Sequence, residues 1–162
     1  MIPNNGYVKG ELKIDDSLNR LESYIKSFPE QMKKQEPGGL LQRPNPGKWS
    51  KQEILGHLID SALNNLKRFT DIQYRDQPYA VDSYGQNELV TINNYQQLPL
   101  DHLLNLWQAL NRQIIFAVNN IPAEKLGFAV DPNYDNREMK TLAWLICDYV
   151  AHMEHHFKQM FP

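Results

Sequence analysis

The chain has 162 residues, with 17 Lys+Arg against 19 Asp+Glu, a net charge of −2, five histidines and one cysteine. At this length folding buries roughly 70% of the unfolded surface, enough for one domain (residues 1–162) with a real core, and a single cysteine excludes an internal disulfide framework and suits a reducing compartment. The near-balanced charge leaves no footprint for nucleic acid or an anionic membrane, the longest apolar run (Leu142–Cys147) is far short of a span, and MIPNNGYVKGELK lacks the apolar region of a leader, so a soluble, cytoplasmic protein is expected.

Four segments carry helical periodicity. The first, about Asp15 to Gln35, spaces Leu18, Leu21, Ile25, Phe28 and Met32 by 3, 4, 3, 4, with Pro29 expected to kink or divide it. The stretch EPGGLLQRPNPGK, dense in proline and glycine, is then read as an irregular loop. The second helix has the clearest start: Ser50 and Glu53 form a capping box, flanked by a Trp49/Ile54 staple. It should run from Lys51 to about Tyr74, burying Leu55, Leu58, Ile59, Ala62, Leu66 and Phe69. Residues 76–99 form a long connection with room for a short helix near Gln86–Asn93. The third helix spans about Leu100 to Asn119 with Leu103, Leu106, Trp107, Leu110, Ile114 and Ala117 inward, and GFAVDPNYDN reads as another loop. The fourth runs from near Thr141 to about Phe161 with the stripe Leu142, Leu145, Tyr149, His152, His156, Gln159. That is an a/d seam in which histidines take the place of leucines.

His152 and His156, four residues apart, differ by about 40° around a helix and project from one face, the geometry by which two imidazoles converge on one ion. The residues between them are Met153, Glu154 and His155, so the metalloprotease form of the motif is absent. A third ligand must come from elsewhere, and His57, on the edge of the second helix's apolar face, is the natural candidate. His57 sits roughly 10 Å from the start of its helix, and His152 and His156 roughly 8–14 Å from the end of theirs. The three imidazoles therefore meet only if helices 2 and 4 are antiparallel. That requirement selects an all-α, up-down-down-up four-helix bundle in which 76–99 crosses over between parallel helices 2 and 3. Twenty-four extended residues reach roughly 80 Å, ample for the crossover.

Plainer readings account for the same residues. A histidine at the edge of an amphipathic helix serves equally well as a hydrogen-bonded boundary residue, and a helical H-x-x-x-H arises by chance. His155, about 60° from His152 and 100° from His156, faces the edge of the cleft. His102 reads as solvated, Cys147 as a buried apolar thiol, and Trp49, Trp107 and Trp144 as core or staple residues. Asp60, one turn after His57, is either an orienting partner for a ligand histidine or a solvated surface carboxylate.

The segments W-S-K-Q-E-I-L-G-H-L-I-D (Trp49–Asp60) and T-L-A-W-L-I-C-D-Y-V-A-H-M-E-H-H-F-K-Q (Thr141–Gln159), with the order and spacing between them, resemble the DinB/YfiT-like superfamily of bacterial metal-binding four-helix proteins. The resemblance implies a bundle, often a homodimer, holding a divalent ion through the positions of His57, His152 and His156; all-histidine ligation suits zinc, nickel or iron. Relatives of this kind divide between thiol S-transferases and proteins labelled metal-dependent hydrolases.

Three neutral histidines leave open positions on an ion, as catalytic sites do. Such an ion activates either a bound thiol, which loses its proton near a +2 charge, or a bound water. With no evident general base or protein nucleophile, the leading expectation is a transferase joining a low-molecular-weight thiol to a small electrophile, with hydrolysis second. Tyr79, Tyr84 and Tyr95 are the candidates to line the electrophile's pocket. A third class, a non-catalytic stress-associated metal protein, would show a fourth protein ligand closing the site.

Overall fold

The computed structural model describes residues 7–8, 11–12, 14–133 and 138–162, so most of the N-terminal stretch and the end of the GFAVDPNYDN segment lie outside the described residues. Residues Tyr7–Val8 (β1) and Glu11–Leu12 (β2) pair antiparallel ahead of the first long helix, α1 (Ile14–Lys33). Its predicted stripe, Leu18, Leu21, Ile25, Phe28 and Met32, is buried throughout. The helix is continuous through Pro29 and is not divided there. Proline offers no N–H to the carbonyl of Ile25, four residues earlier, and Gln108 supplies the missing donor: its Nε2 donates to Ile25 O at 2.8 Å.

The following stretch is not wholly irregular: Pro37–Leu41 forms a short helix, α2. Proline suits the first helical position, where its N–H would be unused, and Leu40 anchors the turn by burial. The next helix, α3 (Lys51–Asp71), opens on the predicted capping box. Ser50 Oγ accepts from the Glu53 amide at 3.1 Å, and the Ser50 amide donates to Glu53 Oε2 at 2.8 Å. It ends three residues before the expected Tyr74, and all the expected inward residues are buried except Leu66, which is half-buried.

The crossover carries β3 (Tyr79–Ala80) and α4 (Gln86–Ile92) and leads to α5 (Leu100–Asn119), whose bounds match expectation. The buried stripe of α5 is Leu103, Leu104, Trp107, Asn111, Ile114 and Val118, rotated from the predicted seam so that Leu106, Leu110 and Ala117 stand at its margin. This helix packs on both α1 and α3, and its stripe faces the point between them. Strands β4 (Ala129–Asp131) and β5 (Lys140–Thr141) then precede α6 (Leu142–Met160). With β3 parallel to β4 and β4 antiparallel to β5, a small sheet ties the crossover to the entry of α6, whose N-cap Thr141 accepts from the Trp144 amide at 3.1 Å. Strands of two or three residues are too short to show alternation, so the sequence reads as loops at these positions.

Named contacts set the helix directions. Along α1 and α6, Arg20 meets Glu154, Tyr24 meets Phe157 and Phe28 meets Phe161, rising together, so these two are parallel. Lys33 at the end of α1 meets Asp101 at the start of α5, which makes that pair antiparallel. Phe69 of α3 packs on Tyr149, whereas His57 lies beside His152 and His156, so α3 is antiparallel to α6. The result is the up-down-down-up four-helix bundle, with α3 and α5 parallel as the long crossover allows. Among the described residues, no helix is long and apolar enough to cross a membrane.

Candidate metal centre

The antiparallel α3 and α6 bring His57, near the start of one, against His152 and His156, near the end of the other. His57 Nε2 lies 3.3 Å from His152 Nε2, which lies 3.1 Å from His156 Nε2. One nitrogen from each of the three falls within 4.8 Å of the others, and among the described residues no carboxylate or thiol joins them. His57 is fully buried, His156 nearly so, and His152 half-buried. Trp49 packs on the His57 ring with centroids 4.9 Å apart and so covers the ligand edge of α3, a role beyond the expected staple.

The nitrogen spacing suits a divalent ion. Ligand distances of about 2.0–2.1 Å give N···N edges of about 3.3–3.4 Å in a tetrahedron and about 2.8–3.0 Å across an octahedral face. The two edges of 3.1 and 3.3 Å lie at or just below the tetrahedral value and above the octahedral one, so they suit such an ion without selecting zinc, nickel or iron. Inward lone pairs this close repel unless a proton or cation stands among them.

Burial is the main reason these imidazoles resist protonation. The pKa of His57 is lowered to about 3 by burial, then by His156 and His152; that of His152 is lowered to about 4 by burial, then by His156 and His155. His156 is lowered by burial as well, against a hydrogen bond to Gln159 that raises it. At neutral pH all three keep a lone pair free for ligation. Unfolded histidines take up protons near pH 6.5, whereas His57 and His152 in the folded chain do so only near 3 to 4. Stability of the chelator-treated protein is therefore complete above about pH 6.5 and is lost as pH falls toward 4. Burial raises the pKa of Asp148 to about 6 and opposes this trend over the same range, so urea unfolding midpoints at pH 7.5, 6 and 5 should fall in that order in an Asp148→Asn variant, and a flat series there would contradict the burial of these rings.

The other expected residues sort differently. His102 and His155 are exposed, and Cys147 is buried with its thiol pKa pushed up by burial. Asp60 is not a solvated surface carboxylate. It is buried, with Oδ1 accepting from Tyr95 Oη at 2.6 Å and from Asn93 Nδ2 at 3.2 Å. Among the described residues its Oδ2 and the Nδ1 of His57 have no hydrogen-bond partner, and burial raises the Asp60 pKa. Tyr95 is held in this packing as a structural residue. Tyr79 lines an open groove with Lys67, Asp71 and Arg75, roughly 15 Å along α3 from His57. Tyr84 packs by the Arg68 guanidinium, also beyond the histidines. Tyr79 and Tyr84 thus stand along α3 beyond the histidines and Tyr95 packs against α3 at Gly56 and Asp60, and among the described residues no hydrogen bond or ring contact joins any of the three to the imidazoles. The sequence reading missed Gln159 as a partner of the site, although its spacing of three and four residues from His156 and His155 was visible.

The chain matches the family model described as the DinB superfamily over residues 14–160. Its fold is similar to that of YfiT from Bacillus subtilis, described as a probable metal-dependent hydrolase with an unusual four-helix bundle topology. That match has a TM-score of 0.82 and 19% identity, covering 98% of this chain and 88% of that one. It is also similar to the mycothiol-dependent maleylpyruvate isomerase, with a TM-score of 0.64 and 14% identity, covering 89% of this chain and 59% of the isomerase. A variant of that isomerase matches with a TM-score of 0.63. At these identities the likeness is one of fold. No curated protein matches the sequence.

Proposed function

This chain belongs to the DinB superfamily, and on that premise we propose that it is a metal-dependent transferase joining a low-molecular-weight thiol to a small electrophile. His57, His152 and His156 would hold one divalent ion. The observation that carries the reading is the make-up of the cluster: among the described residues it is three imidazoles with no fourth Asp, Glu or Cys donor, which leaves positions for small molecules and argues against a closed, structural site. Held there, such an ion supplies Lewis acidity, lowering the pKa of a thiol or water that reaches it.

The chain's own residues favour the thiol. Among the described residues no carboxylate belongs to the cluster of three nitrogens, and Asp60 is engaged by Tyr95 and Asn93. Cys147, buried and with its thiol pKa raised, is no nucleophile, so the sulfur must come from a co-substrate. The depressed basicity of His57 and His152 keeps them in the neutral, ligating form, and Trp49 shields the His57 ring from water. The solved relative described as mycothiol-dependent supports the thiol reading, and the one described as a probable metal-dependent hydrolase supports the second, hydrolysis. The proposal includes a homodimer in the cytoplasm, where a free cysteine persists.

The test incubates zinc-, nickel- or iron-loaded protein with a panel of low-molecular-weight thiols and monochlorobimane. A conjugate formed with at least one thiol, and lost when a chelator is added, is the expected result. No conjugate with any thiol, alongside metal-dependent cleavage of esters or amides, would transfer the assignment to a hydrolase.

A further inference from the structure

Gln159 touches two histidines at once. Its Oε1 lies 2.9 Å from Nδ1 of His156, and its Nε2 lies 3.0 Å from Nε2 of His155. A carboxamide oxygen only accepts, so with this orientation His156 carries its proton on Nδ1. Its Nε2, 3.1 Å from His152 Nε2, is then left as a lone pair directed into the cluster. The amide nitrogen only donates, so Nε2 of His155 is an acceptor and the proton of that ring sits on Nδ1. Turning the amide over would place NH2 against His156 Nδ1, drive the His156 proton onto Nε2 and block the inward position. By contrast, the buried Nδ1 of His57 has no partner among the described residues to hold its tautomer.

Resting on the metal-site reading above, we propose that Gln159 is a positioning residue that holds His156 in the tautomer able to ligate and couples the exposed His155 to occupancy of the site. The helix makes this possible because Gln159 follows His156 by three positions and His155 by four, one turn in each case. Once Nε2 of His156 is engaged by a cation, Nδ1–H is obligatory. The amide oxygen must then face it, and the amide NH2 must face His155. Gln159 is itself exposed in the last turn of α6, so its removal takes little from the core.

Three proteins test this: the parent chain, Gln159→Leu and Gln159→Glu, each labelled with 15N and studied chelator-treated and zinc-loaded. Long-range 1H–15N correlation reads the ring tautomers, competition with a chromophoric chelator reads zinc affinity, and thermal unfolding monitors the fold. The parent should show His156 protonated on Nδ1 even before zinc is added. Gln159→Leu should lose that preference and bind zinc about 10–100-fold more weakly, the range seen when an outer partner of a ligand histidine is removed. Gln159→Glu, which keeps the acceptor, should restore both, with melting temperatures alike. Parental tautomers in chelator-treated Gln159→Leu, parental zinc affinity in that variant, or failure of Gln159→Glu to rescue would each overturn the assignment. His152→Ala separates the two levels. If that variant keeps its zinc, the three-histidine site is wrong; if it loses zinc while Gln159→Leu behaves as the parent, only the role of Gln159 is wrong.

Discussion

The His152→Ala variant is expected to emerge from desalting with metal at background level, whereas the parent chain retains a stoichiometric divalent ion by elemental analysis. His152 is the apex of the cluster: its Nε2 is the atom that lies 3.3 Å from His57 and 3.1 Å from His156. Without it two imidazoles from different helices remain, and a two-nitrogen site competes poorly with water and buffer. The effect should exceed the roughly 10–100-fold typical of changes outside the ligand shell. His152 is half-buried, and its removal relieves crowding among three desolvated rings, so the bundle should stay folded. Circular dichroism checks this, and His102→Ala, at an exposed position on α5, is the control that keeps its metal. An unchanged stoichiometry in folded His152→Ala would falsify the ligand assignment.

Gly56→Ala is expected to cost about 1–3 kcal/mol of stability, the usual penalty for overpacking a core, and to lower the melting temperature by roughly 3–10 °C for a chain of this size. A methyl group at Gly56 would stand 2.1 Å from Cδ2 and 2.2 Å from Cγ of Tyr95, well inside contact distance. The ring has nowhere to go. It is buried, its hydroxyl donates to Asp60 at 2.6 Å, and its backbone carbonyl accepts from Gln52 Nε2 at 2.8 Å. Relief therefore requires undocking the crossover from α3 or displacing the turn that carries His57, so metal affinity should fall together with stability. Gly38→Ala, where nothing among the described residues lies within 4 Å, serves as the control and should be neutral or slightly stabilising. Equal melting temperatures for Gly56→Ala and the parent would remove Tyr95 as the clamp on this helix.

The long helices and their order were legible because each obeys a local rule. The capping box at Ser50 and Glu53 and the bounds of α5 required no knowledge of neighbours. The His57, His152 and His156 set was legible as a candidate because periodicity put two imidazoles on a seam and rise per residue put the third at the same level. Other features depended on contacts between segments distant in sequence. Pro29 argued for a break, and only Gln108, on another helix, shows how the helix continues past it. Asp60 looked like a surface acid because its helix position is near the edge of the apolar face, and it is Tyr95 and Asn93 from the crossover that bury it. The seam of α5 rotated because two helices flank it, a fact no single-helix pattern contains.

The sequence by itself determined the helical periods, the caps and which histidines could share a face, since each follows from spacing along one chain segment and from the chemistry of single residues. Only the tertiary structure decided that the faces meet. It set the antiparallel α3 and α6 that bring nitrogens within 3.1 to 3.3 Å, the packing that strips water from the imidazoles, and the tyrosine that grips α3 beside His57. The physical reason is that ligand convergence and desolvation belong to pairs of surfaces. They arise when two helices exclude water from the space between them, and neither helix encodes that space alone.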